Sequence, residues 1–132
     1  MIEFALVTPV LLLALAGVLN YSLALRTASC LTGAARAGAR YGSQSAASAS
    51  DIAGMQAAAL NAAPGIAGMT ATAVRSCKCS NGSTVSCTGS CASGNMLVYA
   101  KVTTQATSPA LLDYSGLSFP GSISAQAILR AQ

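Results

Sequence analysis

FALVTPVLLLALAGVLNYSLAL, Phe4 to Leu25, is the stretch that decides the fold. It carries no charge, and its only polar residues are Thr8, Asn20, Tyr21 and Ser22. A helix of about 22 residues at 1.5 Å rise spans roughly 33 Å, enough to cross a bilayer. The helical pattern continues through RTASCLTGAARAGAR, Arg26 to Arg40, because Ala, Leu and Arg are good helix formers. A retained membrane-length helix is therefore the expectation, in preference to a removed signal peptide. No basic region precedes the run, and no small-residue cleavage site with a change of composition follows it. Positive charge begins only at Arg26. Since Lys and Arg stay on the cytoplasmic side, either Arg26 to Arg40 is cytoplasmic or a basic leader has been removed. The cysteines downstream point to export and favour the second option.

The rest of the composition agrees with a structural or membrane-associated protein. Of 132 residues, 8% are charged, against about a quarter in an ordinary soluble domain. Mean hydropathy is +0.57. There is no His, the commonest general base and a frequent metal ligand. The only carboxylates are Glu3, Asp51 and Asp113. No nucleophile has an evident base to activate it, so an enzyme is not expected, and neither is a cofactor. The net charge of +4 is spread thinly, with no basic run, so nucleic acid is not an expected partner.

Within the first segment, Glu3 is the odd residue. A carboxylate at the head of an apolar run is costly in a bilayer unless paired, which makes it a functional candidate. It equally fits a water-facing carboxylate favoured by the helix dipole. Pro9 removes the hydrogen bond to the carbonyl of Ala5 and predicts a mild kink. Small residues from Ala28 to Ala39, with Gly33 and Gly38 among them, predict a face where backbones pack closely.

GSQSAASAS, residues 42–50, reads as a polar linker. Ser50 or Asp51 then caps a short helix that stops before Pro64-Gly65. Ile52, Met55, Ala59 and Leu60 form its apolar stripe. From about Met69 the period changes to two. TATAVRSCKC, STVSC, NMLVYAKVTTQAT and SISAQAILRA read as strands separated by Gly, Asn, Ser and Pro. The fold class is α+β: a long N-terminal hydrophobic helix, a short second helix and a small antiparallel sheet of three to four strands. The expected division is 1–42 for the helix and 43–132 for the head.

So small a sheet needs cross-links or neighbours. Four of the five cysteines, Cys77, Cys79, Cys87 and Cys91, fall in CKCSNGSTVSCTGSC. Zinc is one reading, but C-x-C and C-x₃-C without His depart from the usual ligand spacing. Two disulfides in an exported domain fit better, so no metal is expected. With a turn at Asn81-Gly82, the nested pairing Cys77–Cys91 and Cys79–Cys87 is the simplest. Cys77–Cys87 with Cys79–Cys91 is the alternative. Asn81-Gly82-Ser83 also matches a glycosylation sequon, though the hairpin turn is the better reading. Cys30, on the long helix, reads as a small buried hydrophobe or as a half of an intermolecular disulfide.

The block Ile2-Glu3-Phe4-Ala5-Leu6-Val7-Thr8-Pro9, followed by a Leu-rich stretch, resembles the N-terminal signature of the TadE-like family of pilin-like proteins, from tight-adherence (Tad) pilus systems. GAARAGARYG from Gly33, the CKCSNGSTVSC hairpin and the ending SISAQAILRAQ are similar to later parts of that family's pattern. The resemblance implies a type IV pilin-like architecture. It implies a basic leader cut by a prepilin peptidase at the inner membrane. It also implies a helix that leaves the membrane for the core of a surface filament. Its partners would be copies of itself or other pilins, with the Tad assembly machinery. In type IV pilins a Glu at the fifth mature position pairs with a neighbour's N-terminal amine. Glu3 resembles that residue but stands two places early, so either two residues precede Met1 or the cleavage site differs. The resemblance thus makes Glu3, Phe4 and Pro9 the assembly residues. The implied function is a structural subunit of a type IV (Tad-type) adhesive filament. The alternative is a minor pilin or pseudopilin that initiates, caps or regulates a filament of another subunit. A membrane-anchored binding domain that never polymerises is the reading from another class.

Overall fold

The computed structural model describes the backbone of residues 2–107 and 121–131, and the side chains of 6–107 and 121–131. Glu3 and Phe4 therefore have a described backbone only, and Asp113 lies outside the described residues. The element order is α1 (Ile2–Ser43), a 3₁₀ turn (Ser48–Ser50), α2 (Ile52–Asn61), β1 (Thr70–Cys79), β2 (Thr84–Val85), β3 (Met96–Thr107) and β4 (Ser122–Arg130). All four strands join one antiparallel sheet in the order β2-β1-β3-β4. This is the α+β class with the long helix, short helix and small sheet expected from the sequence.

The helices cover one face of that sheet. Alternation decides which face. Along β3, Ala100, Val102, Thr104 and Ala106 are buried, while Lys101, Thr103 and Gln105 lie on the other side. Along β4, Ile123, Ala125, Ala127 and Leu129 turn toward the helices, and the alternate positions are exposed. The core is thin and rich in alanine: Ala39, Met55, Ala59, Ala73, Ala100 and Val102 form its buried centre. Side chains this small let the helix backbones lie close to the sheet.

Gly38 shows how close. A Cβ there would stand 2.7 Å from the Met55 carbonyl oxygen and 3.1 Å from both Ala59 Cβ and Val102 Cγ1. At Gly42 it would overlap Met55 Sδ and reach within 2.7 Å of Ala100 Cβ. Gly33 differs from the expected packing role, since it is exposed and nothing among the described residues lies within 4 Å of its Cβ position. It lines an open groove beside Ala58 of α2 without touching it, so close packing among the described residues does not explain it.

Three further expectations are corrected. Residues 42–50 are no free linker: α1 runs on to Ser43, and the 3₁₀ turn buries Ala49 completely. Ser45 Oγ accepts from Ser48 N at 3.1 Å, and Arg75 Nη1 donates to Ser50 Oγ at 2.8 Å, so serines tie the segment down. On α2, Met55 and Ala59 are buried, but Leu60 is exposed and Ala63 continues the buried side instead. The STVSC strand shortens to Thr84–Val85, because the chain leaves the sheet to form disulfides.

The disulfides join Cys77 to Cys87 and Cys79 to Cys91, with Cα separations of 5.2 and 5.8 Å. The pairing crosses; it is not nested. The turn itself is the reason. Gly82 takes φ +90°, and its N–H donates to the Cys79 carbonyl at 2.8 Å. Asn81 Oδ1 accepts from Ser83 N at 3.0 Å and from Ser83 Oγ at 2.7 Å. So tight a turn sets Cys77 opposite Val85. Cys87 then falls diagonal to Cys77 and too far along to reach Cys79, which Cys91 meets as the chain returns. Ser80 N donating to Asn95 O at 3.0 Å closes that return.

Candidate functional site

The long helix divides into two halves with opposite surroundings. From Leu6 to Leu25 its large apolar side chains, all but the half-buried Leu23, are exposed, with Leu11 at 63% and Leu15 at 60%. From Leu31 to Gly42 it is half of the helix–sheet core, with Leu31, Ala34, Ala35 and Ala39 fully buried. A helix that is apolar all round belongs in lipid or among other helices, because one stripe alone would suffice for a surface helix. The helix from Leu6 to Ser43 is long and apolar enough to cross a membrane, and none of its 18-residue apolar window, of mean hydropathy 1.9, is buried.

Its polar groups suit that setting. Ser22 Oγ donates to the Leu19 carbonyl at 2.8 Å, Thr27 Oγ1 to Leu23 at 3.0 Å and Thr32 Oγ1 to Ala28 at 2.8 Å. Each hydroxyl is satisfied within the helix, and for Ser22, in the bare half, that is what a dry environment requires. Pro9 is exposed and sits inside the helix without ending it. The backbones of Glu3 and Phe4 belong to the same helix.

Where the two halves meet, a buried hydrogen bond fixes the helix to the sheet. Thr104, fully buried, donates from Oγ1 to the Leu31 carbonyl at 2.9 Å. The contact joins residues 73 apart in the chain, which no local pattern reveals. Cys30, one residue before this point, is a free thiol and is exposed, not buried. Among the described residues no group of three or more His, Cys, Asp or Glu side chains could hold a metal ion.

Residues 1–40 match the TadE-like protein family. The matched segment contains Glu3, Phe4 and Pro9 and nearly all of α1. The small-residue pattern beyond Arg40, the cysteine hairpin and the last strand lie outside it. No curated protein and no solved structure matches the chain. The N-terminal segment is thus similar to the TadE-like family, and the α+β fold, with its long N-terminal helix, short second helix and small sheet, is pilin-like.

Proposed function

We propose that this chain is a structural pilin-like subunit that assembles through its N-terminal helix into a Tad-type surface filament for adhesion. The observation that carries the reading is the bare half of α1, Leu6 to Leu25, on a segment that matches the TadE-like family. Left in water, that surface would be strongly unfavourable. It has two suitable homes, the inner membrane before assembly and a bundle of like helices after it. Residues 1–42 supply the membrane and filament helix, whose later half from Leu31 also packs into the exported, disulfide-stapled head of 43–132. Assembly follows removal of a leader by prepilin peptidase and uses the Tad machinery.

Glu3 is the residue on which polymerisation turns. Paired with a neighbour's N-terminal amine in a dry bundle, it sets the stagger between subunits, and an unpaired copy is costly there. Phe4 and Pro9 shape the same contact. Electron microscopy and mass spectrometry of material sheared from cells test the reading. The expected result is this chain as the bulk repeating unit, and loss of filaments in Glu3→Ala with the chain still present in the membrane. A trace amount beside another major subunit would make it a minor pilin. Full function without polymer in Glu3→Ala would make it a membrane-held binding domain.

A further inference from the structure

The helices cover one face of the sheet and leave the other bare. On that outer face Ser76, Tyr99 and Arg130 form one row across β1, β3 and β4, and Val74, Lys101 and Ile128 form the next. Lys78 lies one row the other way, on β1. Same-face rows are about 7 Å apart and strands about 4.8 Å apart. Arg130 and Lys101 therefore stand roughly 5–7 Å from Tyr99 at the backbone, and Lys78 roughly 8 Å away. Three cations surround one tyrosine on this face, with Lys78 and Arg130 exposed and Tyr99 and Lys101 half-buried. Val74, 54% exposed, and Ile128, 52% exposed, lie beside them as apolar ground.

Nothing acidic among the described residues offsets this charge. Asp51, the one carboxylate whose side chain is described, is on the helix side and is held by Tyr41 and Gly54. Among the described residues these side chains lie along the strands of a sheet face that neither helix covers, so it suits an extended polymer better than a small molecule. Single-stranded nucleic acid is bound by several stacking aromatics along a basic track, whereas among the described residues this face has one aromatic, Tyr99. A uronic-acid sugar chain needs what is here. Its ring presents a C–H face to an aromatic ring, and its carboxylates accept charge-assisted hydrogen bonds from Lys and Arg.

We infer that the outer sheet face binds an acidic, uronate-containing polysaccharide, with Tyr99 under a sugar ring and Lys78, Lys101 and Arg130 on carboxylates of the chain. The inference goes beyond the filament reading and does not depend on it, because a single chain presents the whole face. Titration of the full-length chain in neutral detergent with polygalacturonate tests it. Saturable binding that weakens with salt is expected, with none to neutral dextran. Affinity should fall by about tenfold or more in Lys101→Gln/Arg130→Gln and in Tyr99→Leu. Arg40→Gln removes a cation from α1 and should bind as the parent does. Unchanged circular dichroism would show that each variant is folded. Equal binding by the charge variant, equal binding of dextran, or tighter binding of poly(dT) or of anionic phospholipid vesicles would overturn the inference.

Discussion

Asp51 ties α1 to α2 with one carboxylate. Its Oδ1 accepts from the Gly54 N–H at 2.9 Å, capping α2, and its Oδ2 accepts from the Tyr41 hydroxyl at 2.8 Å, tying the cap to the end of α1. The Gly54 backbone bond, and then the Tyr41 bond, hold its carboxyl below the ordinary aspartate range. The folded state thus binds this proton less readily than the unfolded one. The contribution is complete above the unfolded aspartate pKa and is lost as pH falls through the lowered folded value. Asp51→Asn should melt below the parent at neutral pH, and the gap should close in acid, as thermal melts against pH would show. The cap was legible in the sequence, where Ser50 and Asp51 were the two choices. The Tyr41 partner was not, because the bond depends on how residues 44–50 fold back.

At the scale of elements, helix α1 shows two glycines with opposite roles. Gly38 faces α2 and β3, and the atom nearest its missing Cβ is a backbone oxygen that cannot rotate away. Gly38→Ala should cost about 1–3 kcal/mol through overpacking. Gly33→Ala meets nothing in the subunit and should stabilise it by about 0.5–1 kcal/mol through helix propensity. Denaturant unfolding of both variants checks the pair. If Gly33→Ala folds better but assembles worse, its bare face is where a neighbouring helix approaches. Apolar length and helix propensity marked α1, a cap and a short apolar stripe marked α2, and alternation of two marked the strands. These signals could not separate Gly33 from Gly38, since both lie in one Ala-rich run and only the third dimension tells which side is covered.

The molecule as a whole has an uneven interior. Alanines fill the space between the helices and the sheet, and the end near β2 has two disulfides where larger side chains would otherwise pack. Each bridge closes a short loop and should contribute on the order of 2–3 kcal/mol. Reduction should therefore lower the melting temperature well before it removes helix, as circular dichroism with and without reductant would show. Trypsin, cutting after Arg75 and Lys78, should release Ser76–Lys78 still attached through Cys77, and fragmentation spectra should place it on Cys87. That pairing needed the register as well as the turn: once Asn81-Gly82 is counted as a tight turn, Cys87 passes Cys79 and meets Cys77.

The bare and the packed halves of α1 are one uninterrupted rod, anchored where Thr104 holds the Leu31 carbonyl. In a filament built as proposed, a tug on the head has no hinge in which to dissipate between Leu25 and Leu31. Tension passes straight down the helix axis into the bundle, so resistance to shear is set by how firmly neighbouring rods grip one another.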